Sequence, residues 1–295
     1  MTMSIPTRTT SLMNVMTLCP ITIDEDASLD QALRMLANYR FRHLPVVRLN
    51  EVVGMLSDRD LRLATSLLPI DSRMRDRDGH ALPGPKRVRE VMRAQVVTLS
   101  PDDTAGRASQ LMVERQIGAI PLVDDGGLVG IVTETDILRA FLELNRSSRG
   151  EADDLVRYHM HRPMMTTTPE VAIDDALDTM DRRIGHLGVL GPAGEDLARR
   201  PLVGIVSERD LLGGIAREMI RDARAEAEGR IEDVTMTVDD VMTRDVLTVD
   251  PGETLSHCVQ AMTGYRVSAL PVLEDGRPLG MLTQRDVLEY FAHLF

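Results

Sequence analysis

The chain has 295 residues, 43% of them apolar, and its 46 acidic against 34 basic side chains give a formal net charge of −12. That length accommodates about two domains, and the acidic surface repels phosphate backbones, which argues against nucleic acid as the principal partner. No stretch approaches 18 apolar residues, residues 1–17 carry neither a basic flank nor an apolar run, and Cys19 and Cys258 make no disulfide framework, so the expectation is a cytoplasmic protein without a membrane span.

Taken in chain order, Thr22 and Ile23 end a short extended segment, after which Ser28-Leu29-Asp30-Gln31 has the pattern of a capping box. It opens a helix whose apolar stripe is Leu29, Ala32, Leu33 and Leu36. Residues 44–47 and 52–56 are short apolar runs rich in valine, read as buried strands joined by a turn around Leu49, Asn50 and Glu51. Ser57 then caps a second helix.

This unit recurs. Gly54-Met55-Leu56-Ser57-Asp58-Arg59-Asp60 returns as a signature at Gly130 to Asp136, Gly204 to Asp210 and Gly280 to Asp286, with the hydroxyl residues Ser57, Thr133, Ser207 and Thr283 spaced 76, 74 and 76 apart. A fixed period means an array of one supersecondary unit. Met16, Met92 and Met242 stand 41 residues before their hydroxyls, each preceded by Val, and Met160 plays that part 47 residues before Ser207. Six residues after each Met comes Thr22, Thr98, Thr166 or Thr248. A unit of about 50 to 60 residues, ordered strand, helix, strand, strand, helix, buries too little surface to stand alone, so pairing is expected.

The repeats fall at 1–68, 88–146, 155–218 and 235–295. The connection at 69–87 is a basic linker; the basic stretch runs on to Arg89 and reads as a mobile loop, with Arg73, Arg75, Arg77, Lys86, Arg87 and Arg89 among Gly and Pro. Between repeats three and four, 219–234 is a helical linker whose apolar spacing suits core packing or a brace, with a docking helix for another protein as the alternative. Residues 191–200 are an insertion that reads as an exposed hairpin tip.

As a helix start, Ser/Thr-x-x-Asp is nearly a capping box, which accounts for the hydroxyl and the carboxylate without any ligand. It does not account for Arg59, Arg209 and Arg285, since a cation in the first turn faces the positive end of the helix dipole. An anion such as phosphate at that helix N-terminus explains them.

These markers together resemble the cystathionine-β-synthase (CBS) domain, and the resemblance covers nearly the whole chain. It implies an α+β fold of four CBS repeats paired into two Bateman modules, residues 1–146 and 155–295, similar in layout to the gamma subunit of AMP-activated protein kinase. It further implies clefts that bind adenosine-containing ligands. On this resemblance Asp60, Asp136, Asp210 and Asp286 hold the two ribose hydroxyls, and Ser57, Thr133, Ser207 and Thr283 meet ribose or phosphate. Thr22, Thr98, Thr166 and Thr248 line the adenine slot, and Arg42, His43 and His186 sit where basic phosphate ligands are found. Gly118, Ala119, Ser268 and Ala269 are not basic, and Thr135 replaces the arginine in repeat two. That pocket is either empty, takes a less charged ligand such as S-adenosylmethionine, or borrows charge from its paired repeat.

No Walker loop or dinucleotide fingerprint is present. His159-Met160-His161 lacks a third metal ligand of matching spacing, and Cys258 beside His257 in a helix is not a nucleophile–base pair. The expectation is a non-catalytic regulator of AMP, ADP or ATP that signals energy state to an unknown effector protein, as a monomeric disc or a homodimer. The alternatives are a scaffold with vestigial pockets, a binder of S-adenosylmethionine or another adenosine compound, or a nucleic-acid binder acting through residues 69–89.

Overall fold

The computed structural model describes residues 10–39, 41–66, 85–147, 153–180, 185–192, 200–228 and 235–294. Arg73, Arg75 and Arg77, and residues 193–199 of the insertion, lie outside the described residues. Repeat one contains β1 (Thr17–Leu18), β2 (Ile23–Asp24), α1 (Leu29–Tyr39), β3 (His43–Arg48), β4 (Glu51–Ser57) and α2 (Asp58–Ser66). Repeat two contains α3 (Ala105–Arg115), β5 (Ala119–Asp124), β6 (Gly127–Thr133) and α4 (Glu134–Ser147). Repeat three contains β7 (Thr166–Thr167), α5 (Ile173–Thr179), β8 (His186–Leu190), β9 (Leu202–Ser207) and α6 (Glu208–Ala227). Repeat four contains α7 (Leu255–Tyr265), β10 (Ala269–Glu274), β11 (Arg277–Thr283) and α8 (Gln284–His293). The fold is the expected α+β repeat, except that in repeats two and four the first strand shrinks to one parallel bridge, Leu99 to Leu122 and Val249 to Val272.

Local chemistry accounts for the element ends. Ser28 Oγ accepts from the Gln31 N–H at 3.1 Å and starts α1. Leu29, Ala32 and Leu36 are buried, whereas Leu33, expected on the same stripe, is exposed; one residue turns a helix by about 100°, which carries it off the core face. Three hairpins turn on two residues of positive φ: Leu49 and Asn50, Asp125 and Gly126, Asp275 and Gly276. Such primed turns match the right-handed strand twist and favour Asn, Asp and Gly. Leu49 is the misfit.

The recurring Val-Met and the signature glycine explain one another. A Cβ added at Gly54, Gly130, Gly204 or Gly280 would fall 2.3, 2.7, 2.7 or 2.9 Å from the sulfur of Met92, Met16, Met242 or Met160 respectively. Each methionine belongs to the paired repeat, so the two repeats of a module exchange their leading segments. Thr17 and Leu18 pair with Ile131 and Gly130, and the bridges Met55 to Arg93, His161 to Met281 and Ile205 to Thr243 repeat that contact. Val88 and Val238 fill the cores of repeats one and three.

The modules meet through helices: α2 packs on α6, and α3 and α4 pack on α7 and α8. Repeats two and four thereby share one core, which also takes in Leu12 and Val156. There Phe141 sits edge-on to Tyr290 and Phe291 at 6.1 Å, and the buried Ser109 hydroxyl donates to the Leu288 carbonyl at 2.7 Å. The four repeats therefore close a ring within one chain, in the order one, two, four, three. Helix α6 runs unbroken through residue 218 to Ala227, so the linker it enters continues the second helix of repeat three. The end of the basic segment is not a free loop: the Lys86 carbonyl accepts from the Leu29 N–H at 3.1 Å, and Arg87 and Arg89 both reach Asp26. Among the described residues no helix is long and apolar enough to cross a membrane.

Candidate functional site

Each signature ends a strand and starts a helix, so its hydroxyl residue becomes the N-cap. Thr283 Oγ1 accepts from the Asp286 N–H at 3.4 Å, and Asp286 Oδ2 accepts in return from the Thr283 N–H at 2.6 Å and hydroxyl at 2.8 Å. Asp60, Asp136 and Asp210 each accept from the backbone N–H of Ser57, Thr133 and Ser207 at 2.9 Å, and from its hydroxyl. The cap thus occupies Oδ2. Oδ1 is the oxygen this cap leaves over.

What covers Oδ1 differs among the repeats. Arg93 Nε lies 3.4 Å from Asp60 Oδ1, Arg139 Nη1 lies 3.2 Å from Asp136 Oδ1, and His161 Nε2 lies 3.0 Å from Asp286 Oδ1. Arg93 and His161 each follow the knob methionine of the paired repeat, where the other two segments carry Thr17 and Thr243. Among the described residues no side-chain cation pairs with Asp210 Oδ1.

Asp210 also faces a cavity of about 880 Å³, within the usual range for small-molecule sites. Ser207, Arg209, Asp210 and His186 of repeat three line one side, residues 243–247 and 265–269 of repeat four line another, and Arg42 reaches in from the other module. Ile205, Val246, Leu247 and Val267 supply an apolar wall. Thr22, Thr98, Thr166 and Thr248 are not among the lining residues; Thr248 directly follows the lining Leu247, and Thr166 pairs with Gly188 in β7.

The signature arginines find anions in the protein itself. Arg59 Nη2 lies 2.7 Å from Glu208, and Arg209 Nε lies 2.8 Å from Asp58, a reciprocal pair between repeats one and three. Repeats two and four carry half of this arrangement. Arg285 is the charge that most opposes the burial-raised carboxyl of Glu134, while the second pair is replaced by Thr135 and Gln284, both neutral. The loss of the arginine in repeat two is therefore matched by the loss of its acid in repeat four. The acidic residue before Arg59 and before Arg209 is the signal the sequence carries for this pairing, and Gln284 before Arg285 is the signal for its loss.

Arg42, His43 and His186 cluster where the modules meet. Burial, then Arg42, pushes the His43 imidazole down to about 4; burial also pushes His186 down to about 4, with Arg42 and Arg209 adding to it against Asp210. Both rings are neutral at pH 7, and both residues are half-buried. A Cβ at Gly118 would meet His43 Cε1 at 3.0 Å, and His186 Nε2 lies 3.0 Å from Ser268 Oγ. The non-basic Gly118 and Ser268 thus make room for, or hold, the histidine of the paired repeat. Burial lowers Arg42 too, Arg209 adds to this, and Glu134 and Asp58 oppose it.

The residues weighed for catalysis are engaged elsewhere. His159 Nε2 lies 3.0 Å from Asp154, away from His161. Burial pushes the Cys258 thiol up to about 12, and His257 lies 2.7 Å from Glu253. Among the described residues no group of three or more His, Cys, Asp or Glu is placed to hold a metal.

Four paired α+β repeats, each with its signature carboxylate drawn into a helix cap and one of them, Asp210, facing a cavity, define a tandem-module protein of the regulatory, ligand-binding kind. The chain belongs to the CBS-domain family, whose model matches residues 12–66, 88–143, 152–217 and 238–293. It is similar to the uncharacterized protein MJ1225 of Methanocaldococcus jannaschii, with 26% identity over 281 residues that span 92% of this chain and 95% of the relative. The crystal structure of MJ1225, described as a candidate archaeal homologue of γ-AMPK, matches with a TM-score of 0.74 at 24% identity, covering 95% of this chain and 99% of that one. A conserved protein from Pyrococcus horikoshii shares the fold with a TM-score of 0.62 at 22% identity, covering 95% and 99%.

Proposed function

We propose that this chain is a non-catalytic regulator that binds an adenine nucleotide, AMP, ADP or ATP, in the Asp210 cavity and reports its occupancy to an effector protein. The observation that carries this reading is the joining, in one cavity, of Arg42 and Arg209 with a carboxylate oxygen of Asp210 that has no cation partner among the described residues. A nucleotide offers both complements: a cis-diol for Asp210 and phosphate for the guanidiniums. The apolar wall of Ile205, Val246, Leu247 and Val267 suits the base.

Reporting follows from the double duty of Arg209. It lines the cavity and pairs with Asp58 of the other module, so a phosphate that draws on Arg209 weakens a contact between modules. The two module arrangements then differ in ligand affinity, which coupling requires. A thermal-shift panel of AMP, ADP, ATP, S-adenosylmethionine and uridine analogues tests the reading. A saturating adenine nucleotide at about 100 times its dissociation constant adds about 2.7 kcal/mol to the folded state. If no nucleotide moves the transition, the scaffold reading replaces this one.

A further inference from the structure

The His159-Met160-His161 motif takes no part in the Asp210 cavity, and its second imidazole has a different task. Asp286 is almost wholly buried, with its side chain 1% exposed, and its Oδ2 is committed to the Thr283 cap. His161 Nε2 stands 3.0 Å from the remaining oxygen, Oδ1, with its N–H poorly aligned, so the contact is chiefly an ion pair. The backbone fixes the ring there: the His161 N–H donates to the Met281 carbonyl at 2.9 Å, and the Met281 N–H donates to the His161 carbonyl at 3.1 Å. Thr243 holds the matching place in the cavity of repeat three and is uncharged. Arg93 holds it over Asp60 and never loses its proton.

We propose that protonated His161 occupies the ligand position of repeat four, so that this site takes an adenosine ligand only once the imidazole has lost its proton or been displaced. The proposal rests on the reading that the signature carboxylates hold ligand. The charged groups facing the ring are Asp286 and Glu289, both on α8; β11 meets it through the Met281 backbone. On its own segment Arg162 donates to the Arg157 carbonyl at 3.3 Å. The Asp286 carboxylate in contact with the ring holds the imidazole above its ordinary value, burial works against this, and Glu289 adds to it. Below the ordinary value the ring is charged and the ion pair is intact. As pH rises through the raised value the attraction is lost and Oδ1 opens to a diol. Binding in repeat four then releases a proton and strengthens with pH by at most about tenfold per unit.

Proton NMR of the imidazoles in the full chain, with His161 identified through His161→Gln, tests the pair without any ligand. The midpoint of His161 is expected above its ordinary value in the free protein and lower in Asp286→Asn. Calorimetry with AMP as the probe, at about pH 6 and about pH 8, then tests the gate on the binding increment that Asp286→Asn removes. That increment should strengthen with pH in the native chain and stay level in His161→Gln. A midpoint for His161 that is unshifted, or that Asp286→Asn leaves in place, overturns the proposal whatever AMP does. Equal pH dependence in the native chain and His161→Gln overturns it as well. A shifted midpoint with no nucleotide bound at any repeat overturns the nucleotide reading first and reduces the ion pair to a fastening between repeats.

Discussion

Arg209 Nε stands 2.8 Å from Asp58 Oδ2, and Arg59 returns the pairing to Glu208 at 2.7 Å, so the first turns of α2 and α6 hold each other across the two modules. The two arginines are alike in the sequence and differ in the structure, because Arg209 alone of the pair lines the cavity. Both side chains are 44% exposed, which limits each ion pair to about 0.2–1 kcal/mol.

Arg59→Gln should therefore lower stability by less than about 1 kcal/mol and leave nucleotide affinity level. Arg209→Gln should cost a similar amount of stability, yet weaken ATP and AMP by about 1.5–3 kcal/mol for the charged hydrogen bond lost, with adenosine nearly unaffected. Urea denaturation and calorimetry on both variants check this. An equal loss for adenosine and ATP would place Arg209 in the fold of the pocket instead of on phosphate.

The state of Oδ1 ranks the four carboxylates. Asp210→Asn should abolish the strongest binding event, and Asp136→Asn should remove little, because Arg139 already stands 3.2 Å from Asp136. Asn keeps a side chain that can serve the cap, so stability should change by about 1 kcal/mol or less in either variant. Calorimetric stoichiometry decides, and equal losses from both would contradict the ranking.

Much of this was legible in the residues. The hydroxyl and Asp of the signature act as the caps their spacing implied, and the strands around Pro45 fall where the valine-rich runs placed them. What stayed hidden is contact between distant repeats. Nothing local says that Met92 fills the notch of Gly54, or that Glu208 answers Arg59, since both depend on how modules meet. The neutral match of Thr135 with Gln284 likewise becomes visible only once repeats two and four are seen to face each other.

The methionine notches give a graded test of packing. Gly280→Ala brings a Cβ to 2.5 Å from the His161 carbonyl, a backbone atom that cannot swing aside, whereas Gly54→Ala meets the side chain of Met92. Gly280→Ala should cost about 1–3 kcal/mol and exceed Gly54→Ala. Adding Met92→Ala should relieve part of the Gly54→Ala loss, so that the double variant is less damaged than the sum, measured by chemical denaturation. Additive losses would mean that the sulfur is not the obstacle.

At the first hairpin, Leu49 has a φ of 50° and is 95% exposed, so it bears the strain of a primed turn without packing in return. Leu49→Asp, the residue found at Asp125 and Asp275, should stabilise the chain by about 0.5–1 kcal/mol. A rise in the urea midpoint at unchanged slope is the expected result; a fall would show that Leu49 makes a contact that matters.

The imidazoles of His43 and His186 set the response to acid. His43 and His186 are pushed down to about 4 in the folded chain, and each returns to about 6.5 on unfolding. The unfolded state therefore binds more protons between those values, so stability is level above about pH 6.5 and falls as pH drops toward 4. Replacing both with Gln should flatten the curve across that window, apart from what the carboxylates contribute at its acid end. Phosphate beside His186 reverses the local balance by favouring the charged ring, so nucleotide binding at repeat three should take up protons in the same window. Denaturation midpoints at intervals from about pH 4 to pH 8, with and without ATP, read both effects. A free protein whose stability is level down to pH 5, or a nucleotide that binds there without proton uptake, would show that these rings are not held neutral beside the phosphate site.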